Sequence, residues 1–339
     1  MIKIGVDANG GDLGVEATVP GAIKAVSMFD DIEIVLYGDE NKIKPLLTNS
    51  ERISIVHTEK TLSMGEKDPV RAVRKEKDSS LCMAMYAAKR DEVDAVVTSG
   101  PTQCVVMAAH VIIRRLPQME RVALCPIIPN FDGHHRLMLD VGANVELKPE
   151  HLGQFAIFAS VADKEIFGVE NPSVGYLNIG SEPGKGREFD KEAYYYLKDL
   201  KGINFYGNIE PDQAIDCPTD IILCDGYGGN ICLKAVEGTA KTMGRMLKQE
   251  VYSSFKNKIG GLFLKKGLKH FAKRMDSKEV GGAMIFGINK PVVKAHGNSD
   301  AYAFASAIKQ VRQMVKSNII EKVIPYLPEI ERKEEENEQ

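Results

Sequence analysis

Residues 220–238, DIILCDGYGGNICLKAVEG, join an apolar run to a glycine-rich turn and then to a stretch with helical spacing. The same order recurs along the chain, with apolar runs that begin at Ile2, Ile32, Ile53, Asp94, Ser173 and Pro291. Near-continuous apolar strands suit a sheet that is covered on both faces, and their alternation with helices indicates βαβ units. The sequence therefore predicts a three-layer α/β/α fold with a mainly parallel sheet.

The domain organisation follows from length and composition. A chain of 339 residues can hold two domains, but this one shows no low-complexity linker and no internal repeat. We therefore favour one domain over residues 1–330, with predicted helices that include 70–90 and 230–252. Residues 331–339 are polar and charged and are expected to form a disordered tail.

The overall charge is close to neutral, since 44 basic and 47 acidic residues give a formal net charge of -3. Such a balance provides no field that attracts nucleic acid, so we expect no nucleic-acid partner. The chain also contains no apolar run of about 18 residues and no signal-like start, so a cytoplasmic protein is expected. Its 6 cysteines are scattered without a C-x-x-C pair, and buried reduced thiols are expected.

Small and polar residues follow five of the apolar runs. In open α/β sheets, ligands bind outside the carboxyl ends of the strands, where helix N-termini also point. A glycine after a strand can also simply make the turn, but five such loops favour one converging ligand site. The loops are 7–12 with Asp7, Gly10 and Gly11, 98–100 with Ser99 and Gly100, 178–180, 225–226 with Asp225 and Gly226, and 296–299 with His296.

The segment GSEPGKG, residues 180–186, resembles a phosphate loop. Gly184 and Gly186 would let backbone N–H groups approach an anion, and Lys185 adds a point charge. A nucleoside-triphosphate loop needs four residues between its glycines and a Ser or Thr after the lysine, and neither is present. The segment therefore suits inorganic phosphate or an acyl-phosphate, and a plain flexible turn is the alternative.

Several cofactor and metal classes lack their sequence signatures. The turn 226–230 does not have the G-x-G-x-x-G spacing of a dinucleotide fingerprint, and no G-x-S-x-G elbow is present. The adjacent His134 and His135 would point to opposite faces of a strand, and no clustered Cys or His accompanies them. We therefore expect no cofactor and no metal.

Taken together, the motifs resemble the bacterial phosphate acyltransferases, which convert acyl-carrier-protein thioesters and inorganic phosphate into acyl-phosphate and free carrier protein. The resemblance covers nearly the whole chain. It is carried by six ordered blocks: VDANGGD from Val6, KDSSL from Lys77, LDVGANVELKPEHLGQFA from Leu139, LNIGSEPGKGRE from Leu177, CDGYGGNICLKAVEG from Cys224 and KAHGNSDAYAFASAI from Lys294.

This resemblance implies a Rossmann-like fold related to phosphotransacetylases and isocitrate-dehydrogenase-like proteins, and a homodimer. It also implies that the acyl-phosphate passes to a membrane glycerol-3-phosphate acyltransferase for phospholipid synthesis. The chain departs from the family pattern at two places. Pro101 interrupts an "SAGNTGA"-like loop and lacks an N–H, and Leu13 stands where the pattern has a histidine. Neither position is expected to supply the family's usual contact.

The candidate catalytic residues are Lys185, Asn230 and His296. Lys185 would hold phosphate or the developing oxyanion, and Asn230 would add a donor beside the helix start that follows Gly226. His296 would protonate the departing thiolate, and a hydrogen-bonded structural histidine is the alternative. Lys234 lies one turn further along that helix. Arg74 and Lys77 are expected to contact phosphate or the carrier, or to form a solvated helical face, while Asp7 and Asp225 orient lysines or cap turns.

Residues 255–275 reverse the local charge, since they contain seven Lys or Arg and no acid. Their spacing predicts a basic amphipathic helix, which suits peripheral attachment to anionic lipid and docking of acidic acyl carrier protein. A helix that packs within the fold or a dimer is the alternative, and three glycines weaken the helical pattern. The residues expected to face the membrane are Leu262, Phe263, Lys265, Lys266, Leu268 and Lys269.

Two other functions stay open at this point. The first is a phosphotransacetylase that uses an acyl-coenzyme A thioester, because it would share the fold and the chemistry. The second is a non-catalytic membrane scaffold that recruits lipid-synthesis enzymes through residues 255–275.

Overall fold

The computed structural model describes residues 1–48, 51–129, 133–274 and 281–328. These residues form an 11-stranded sheet in the order β3-β2-β1-β4-β11-β10-β5-β6-β9-β7-β8. The strands are β1 Ile2–Asp7, β2 Ile32–Gly38, β3 Ile53–His57, β4 Ala95–Thr98, β5 Ala123–Pro129, β6 His135–Leu139, β7 Ser173–Leu177, β8 Asn204–Ile209, β9 Ile221–Leu223, β10 Gly282–Phe286 and β11 Val292–Ala295. The tail 331–339 lies outside the described residues.

Helices connect most of these strands. They are α1 Val15–Met28, α2 Glu40–Ile43, α3 Pro69–Lys75, α4 Ser80–Lys89, α5 Thr102–Ala108, α6 Pro149–Ala162, α7 Glu188–Asp199, α8 Gly226–Tyr252, α9 Phe255–Arg274, α10 Ala301–Lys316 and α11 Ile319–Val323. Short π-helical turns, Ala109–Ile113 and Asp163–Phe167, extend α5 and α6.

The single helix predicted over 70–90 is wrong, because the chain breaks it into α3 and α4. The helix α3 ends at Lys75, because the backbone of Glu76 leaves the helical region with ψ 57°. The hydroxyl of Ser79 donates to the carbonyl of Glu76 at 2.8 Å, and Ser79 occupies the N-cap position of α4 without a side-chain hydrogen bond to that helix. Serine favours such turn and cap positions because its side chain competes for backbone groups.

Alternate residues of each strand pack on opposite faces of the sheet. Ile34 and Leu36 of β2 join the core that includes α1, α6 and α10, whereas Val35 and Tyr37 join the core that includes α4 and α5. This alternation follows from the two-residue period of a strand. The predicted three-layer α/β fold with a mainly parallel sheet is thereby confirmed.

The sheet contains two parallel groups that run in opposite directions. One group is β3-β2-β1-β4-β11 and the other is β6-β9-β7-β8. Between them, β10 is antiparallel to both β11 and β5, and β5 is antiparallel to β6. The carboxyl ends of the two groups therefore lie at opposite edges of the sheet, which the βαβ pattern did not predict.

The long helix α8 connects these two edges. It begins directly after β9, where the Asp225 side chain accepts from the N–H of Gly228 and caps the first turn. Among the described residues, no helix is both long and apolar enough to cross a bilayer. All six cysteines are buried, as the sequence predicted.

Candidate functional site

Three neighbouring parallel strands end in polar residues at one edge of the sheet. Asp7 ends β1, Thr98 ends β4, and Lys294 of β11 is paired in register with Thr98. The preceding residues of β1 and β4, Val6 and Val97, are also paired. A carboxylate, a hydroxyl and an ammonium group therefore stand side by side on adjacent strands.

Asp7 is buried and holds three segments together. The hydroxyls of Ser80 and Thr98 donate to its two carboxylate oxygens at 2.6 Å and 2.7 Å, and the N–H of Gly10 is a third donor. Burial raises the pKa of Asp7, and these donors lower it in part. Asp7 therefore stabilises the turns around it, which is one of the two roles predicted for this residue.

The glycine loops after β1, β4 and β11 are in close contact. Gly11 has φ +88°, and a Cβ there would lie 2.7 Å from the Ser99 Cβ and 2.8 Å from the carbonyl oxygen of Gly297. A Cβ at Gly10 would likewise lie 3.1 Å from the nitrogen of Gly100. Only glycine fits this approach, so the predicted convergence is confirmed for these three loops.

Three lysines and a histidine gather beside these loops, and we call Lys234, Lys241, Lys294 and His296 the lysine cluster. Lys294 is half-buried, and burial together with the charge of Lys234 lowers its pKa to about 8, while Asp12 opposes this shift. Like charges that lie close together attract an anion, because a bound anion relieves their repulsion.

His296 lies at the open side of the lysine cluster, with 49% of its side chain exposed. Its Nε2 is 3.8 Å from a carboxylate oxygen of Glu237 on α8. Burial lowers the pKa of His296, and the nearby Lys294, Lys241 and Lys234 lower it further, although Glu237 raises it. The imidazole is therefore mostly neutral at neutral pH.

A second group of polar residues surrounds the ends of β7 and β9. The guanidinium of Arg187 pairs with Asp225 and contacts both oxygens of Asp190 at 2.9 Å. Tyr176 donates to Asp190 at 2.7 Å. These carboxylates raise the pKa of Arg187, so it stays charged. Asp225 therefore caps α8, which is one of its two predicted roles. The other prediction was an ion pair with a lysine, and the residue that pairs with Asp225 is Arg187.

Lys185 belongs to this second group and not to the lysine cluster. Its side chain is 50% exposed, and its ammonium nitrogen lies 3.9 Å from a carboxylate oxygen of Glu182. Gly186 has φ +90°, and a Cβ there would lie 2.7 Å from Asn178 and Asp190, so the turn requires glycine. Among the described residues, nothing lies within 4 Å of a Cβ built at Gly184.

Three of the five loops follow strands of the first parallel group and two follow strands of the second, and a single site formed by all five stays a prediction. The helix α8 spans the distance between the two sets of loops. From Gly226 to Lys234 it advances 1.5 Å per residue, or about 12 Å. Asn230 lies half-buried between these positions, beside Gly142 of the loop after β6.

The remaining predicted residues lie around this core. Arg74 and Lys77 have exposed side chains at the end of α3 and in the loop before α4. Pro101 is the residue before α5, and Leu13 is 49% exposed. His135 contacts the buried carboxylate of Asp163 at 2.6 Å, which is a contact within the fold. Within the described ranges, no cluster of three or more metal-type side chains occurs.

The basic helix predicted over 255–275 is confirmed as α9 over 255–274, and Met275 lies outside the described residues. Leu262 is 69% exposed and Phe263 is 86% exposed, whereas Leu268 is half-buried. Lys265, Lys266 and Lys269 are exposed. A Cβ at Gly261 would lie 2.5 Å from Val251, so glycine lets α9 approach α8 closely.

The sequence reasoning missed Lys294 and Arg187. Lys294 interrupts the apolar run of β11 two residues before His296, and a charge inside an apolar strand was a usable signal. Arg187 had no such signal, because its partner Asp225 is 38 residues away.

The geometry can be compared with known proteins. Residues 2–322 match the family described as "Fatty acid synthesis protein". The "Phosphate acyltransferase" of Acholeplasma laidlawii (strain PG-8A) is 46% identical over 325 residues, which cover 95% of this chain and 97% of that protein. The protein of the same name from Bacillus cereus (strain G9842) is 43% identical, covering 94% and 96%.

Solved structures with the same fold are more distant in sequence. The EutD phosphotransacetylase from Staphylococcus aureus has a TM-score of 0.58 at 14% identity, covering 93% of this chain and 94% of that one. A branched-chain phosphotransacylase from Enterococcus faecalis V583 has a TM-score of 0.59 at 14% identity, covering 93% and 99%. Their likeness establishes the fold.

Proposed function

The chain belongs to the family described as fatty acid synthesis protein, and we propose that it transfers an acyl group from acyl carrier protein to inorganic phosphate. The observation that carries this proposal is the lysine cluster beside three close-packed glycine loops. Glycines admit the anion close to backbone groups, and the lysines supply the charge that a phosphate dianion requires. The continuous sheet supports treating residues 1–330 as one catalytic domain.

The reaction needs positioning more than a covalent enzyme intermediate. An oxygen of hydrogen phosphate attacks the thioester carbonyl carbon, so a C–O bond forms while the C–S bond breaks. The proton of hydrogen phosphate ends on the departing thiol, and the products are acyl-phosphate and free carrier protein. Lys294 and Lys234 hold the phosphate and stabilise the charge that develops in the transition state.

In this proposal, His296 moves the proton. Because the pKa of His296 is lowered, its ring is mostly neutral at neutral pH and cannot donate at the start. It must first accept the proton of hydrogen phosphate and can then pass it to the thiolate. This order makes the imidazole a shuttle between nucleophile and leaving group.

Lys185 and Asn230 remain predictions for the same reaction. Asn230 lies in α8 one turn before Lys234, about 6 Å along the helix axis, whereas Lys185 lies with the group around the ends of β7 and β9. The two lysine sites make different predictions, because replacing the phosphate-binding lysine by methionine raises the KM for phosphate. Comparing Lys185→Met with Lys294→Met in phosphate titrations therefore decides which lysine binds it.

We propose that acyl carrier protein and the membrane both bind at α9. Its exposed lysines suit both anionic lipid and an acidic carrier protein, and Phe263 is among its exposed apolar side chains. Attachment there would bring acyl-phosphate to a membrane glycerol-3-phosphate acyltransferase. Flotation with phosphatidylcholine vesicles, with and without phosphatidylglycerol, tests this proposal. Phe263→Ser should weaken salt-sensitive flotation, Tyr206→Ser on β8 is the control, and equal flotation of both contradicts it.

A homodimer is proposed through the second half of α8. Met243 is 65% exposed, Met246 is 61% exposed and Leu247 is 44% exposed. An apolar face of this kind on a long helix is typical of an interface between subunits. Sedimentation equilibrium of the full chain should give twice the monomer mass, and Met246→Glu should shift it towards the monomer. A monomeric parent protein contradicts this assembly.

The function itself is tested by thiol release from two thioesters. The purified protein should release thiol from long-chain acyl carrier protein only when phosphate is present. Faster release from acyl-coenzyme A would favour the phosphotransacetylase alternative. Absence of release from both would leave a membrane scaffold as the function and contradict the proposal.

A further inference from the structure

Lys294 is a cationic residue inside an apolar strand. Its neighbours in β11, Val293 and Ala295, are fully buried, while the Lys294 side chain is half-buried. Its partners on the adjacent strands are Thr98 of β4 and Ala283 of β10, and neither carries a charge. The two strands beside Lys294 therefore offer no carboxylate to its amine.

The Lys294 amine is also not held in an ion pair or a hydrogen bond to any residue that the structure describes. In contrast, the ammonium group of Lys290 pairs with Asp91 at 2.5 Å. The charged groups that act on Lys294 are Lys234 of α8, which with burial lowers its pKa to about 8, and Asp12 of the β1 loop, which opposes that shift. An amine without a bound partner is available to react.

The loops that would hold a phosphoryl group lie beside the end of the same strand. Lys294 is paired with Thr98, the last residue of β4. Three residues after Lys294, the carbonyl oxygen of Gly297 would lie 2.8 Å from a Cβ built at Gly11. The proposed function leaves an acyl-phosphate here at the end of each turnover. Only one oxygen atom separates its carbonyl carbon from the phosphorus, so that carbon would lie near the lysines that bind the phosphoryl group.

We propose that Lys294 is an acylation site, at which the acyl-phosphate product modifies the protein itself. The inference rests on the proposed function and adds a regulation of the same site. The neutral amine attacks the carbonyl carbon, so a C–N bond forms while the C–O bond to the phosphoryl group breaks. The proton that the amine loses ends on the departing phosphate. The products are therefore an N-acyl-lysine and hydrogen phosphate.

Acylation switches off phosphate binding, because the amide that forms carries no charge. Acyl-phosphate that is not consumed by the next enzyme therefore slows its own synthesis. Lys294 is better suited to this reaction than Lys234 and Lys241, whose side chains are exposed. With a pKa of about 8, about 10% of Lys294 is neutral at pH 7. A lysine with the ordinary pKa near 10.4 is only about 0.04% neutral at that pH.

Acetyl phosphate is a direct probe, because it carries the same reactive group and needs no turnover by the enzyme. The full-length protein is incubated with it at pH 7, and peptide mass spectrometry follows acetylation of Lys294 and of Lys201, an exposed lysine after α7. Lys294 should react at least about tenfold faster, after allowance for the weaker nucleophilicity of a less basic amine. Inorganic phosphate should slow the reaction of Lys294 alone. Equal rates at the two lysines, or no protection by phosphate, would overturn the site.

The pH dependence gives a second readout. Acetylation of Lys294 should rise about fivefold between pH 7 and pH 8 and level off above pH 9, since its pKa is about 8. A lysine with the ordinary pKa gains about tenfold per pH unit up to pH 9. A tenfold gain per unit at Lys294 over the same range would contradict the proposal.

Turnover tests the regulation itself. When the parent protein converts hexadecanoyl carrier protein in the presence of phosphate, Lys294 should become hexadecanoylated and the rate should fall in proportion. Lys201→Arg should behave like the parent protein, whereas Lys294→Arg should keep its own starting rate. A fall in rate with Lys294 unmodified overturns the regulation. If the parent protein makes no acyl-phosphate, the proposed function fails, and acetylation by added acetyl phosphate still decides whether Lys294 is the reactive lysine.

Discussion

Replacing Lys294 by methionine removes one charge from the lysine cluster and keeps most of the side-chain volume. If Lys294 binds phosphate, the variant should bind phosphate more weakly while its fold is preserved. Its positive charge also lowers the pKa of His296, so that pKa should rise in the variant. A residue that merely filled space would change neither quantity.

The magnitude follows from the charge and from the pKa of Lys294. A hydrogen bond to a charged group contributes about 1.5 to 3 kcal/mol, which corresponds to a rise in the KM for phosphate of about ten- to a hundredfold. With a pKa of about 8, about 90% of Lys294 is protonated at pH 7 and about 10% at pH 9. The protonated form binds phosphate, so kcat/KM for phosphate should fall as the pH rises through 8.

The assay is thiol release from long-chain acyl carrier protein at varied phosphate concentration between pH 6 and pH 10. Lys294→Arg should abolish the decline near pH 8, because arginine stays charged throughout this range. Lys201→Met, an exposed lysine after α7, serves as the control. Lys294 does not bind phosphate if Lys294→Met leaves the KM for phosphate within twofold of the parent protein and the His296 pKa unchanged by NMR.

Three further substitutions test the residues that build the site. Gly11→Ala forces an L side chain into φ +88° against Ser99 and should lower the free energy of unfolding by at least about 1 kcal/mol; an unchanged urea midpoint would contradict this. Asp7→Asn replaces an acceptor of three hydrogen bonds and should lower it by about 1 to 3 kcal/mol, measured by the same titration, with parental stability the opposing result. Arg187→Met leaves two nearly buried carboxylates without their cation and should lower the free energy of unfolding by about 1.5 to 3 kcal/mol at pH 7; parental stability in the same titration would argue against the ion pairs.

Much of the fold was predictable because hydrophobic pattern and turn chemistry are local. Apolar runs followed by glycine turns, as in residues 220–238, specified strands, helices and a mainly parallel sheet. The reversal of direction at β10 and β5 was not predictable, because strand pairing depends on contacts between residues that are distant in sequence. Because of this reversal, Lys185 follows a strand of one parallel group, and the loop of Asp7 and Gly11 follows a strand of the other.

The site was predictable where a short motif determines the local backbone conformation. Gly11 and Gly186 were singled out as loop glycines, and both adopt positive φ. Lys294 was overlooked because its importance depends on Lys234, which α8 brings beside it from 60 residues away. Long-range electrostatic clusters of this kind leave only a faint signal in the chain.

The proposed function depends on direct attack of phosphate on the acyl thioester. It is tested by ³¹P NMR of the purified protein with hexadecanoyl acyl carrier protein and inorganic phosphate, with free thiol measured in parallel. An acyl-phosphate resonance should grow in equal amount with the released thiol. Thiol release without acyl-phosphate, or at the same rate without phosphate, would contradict it.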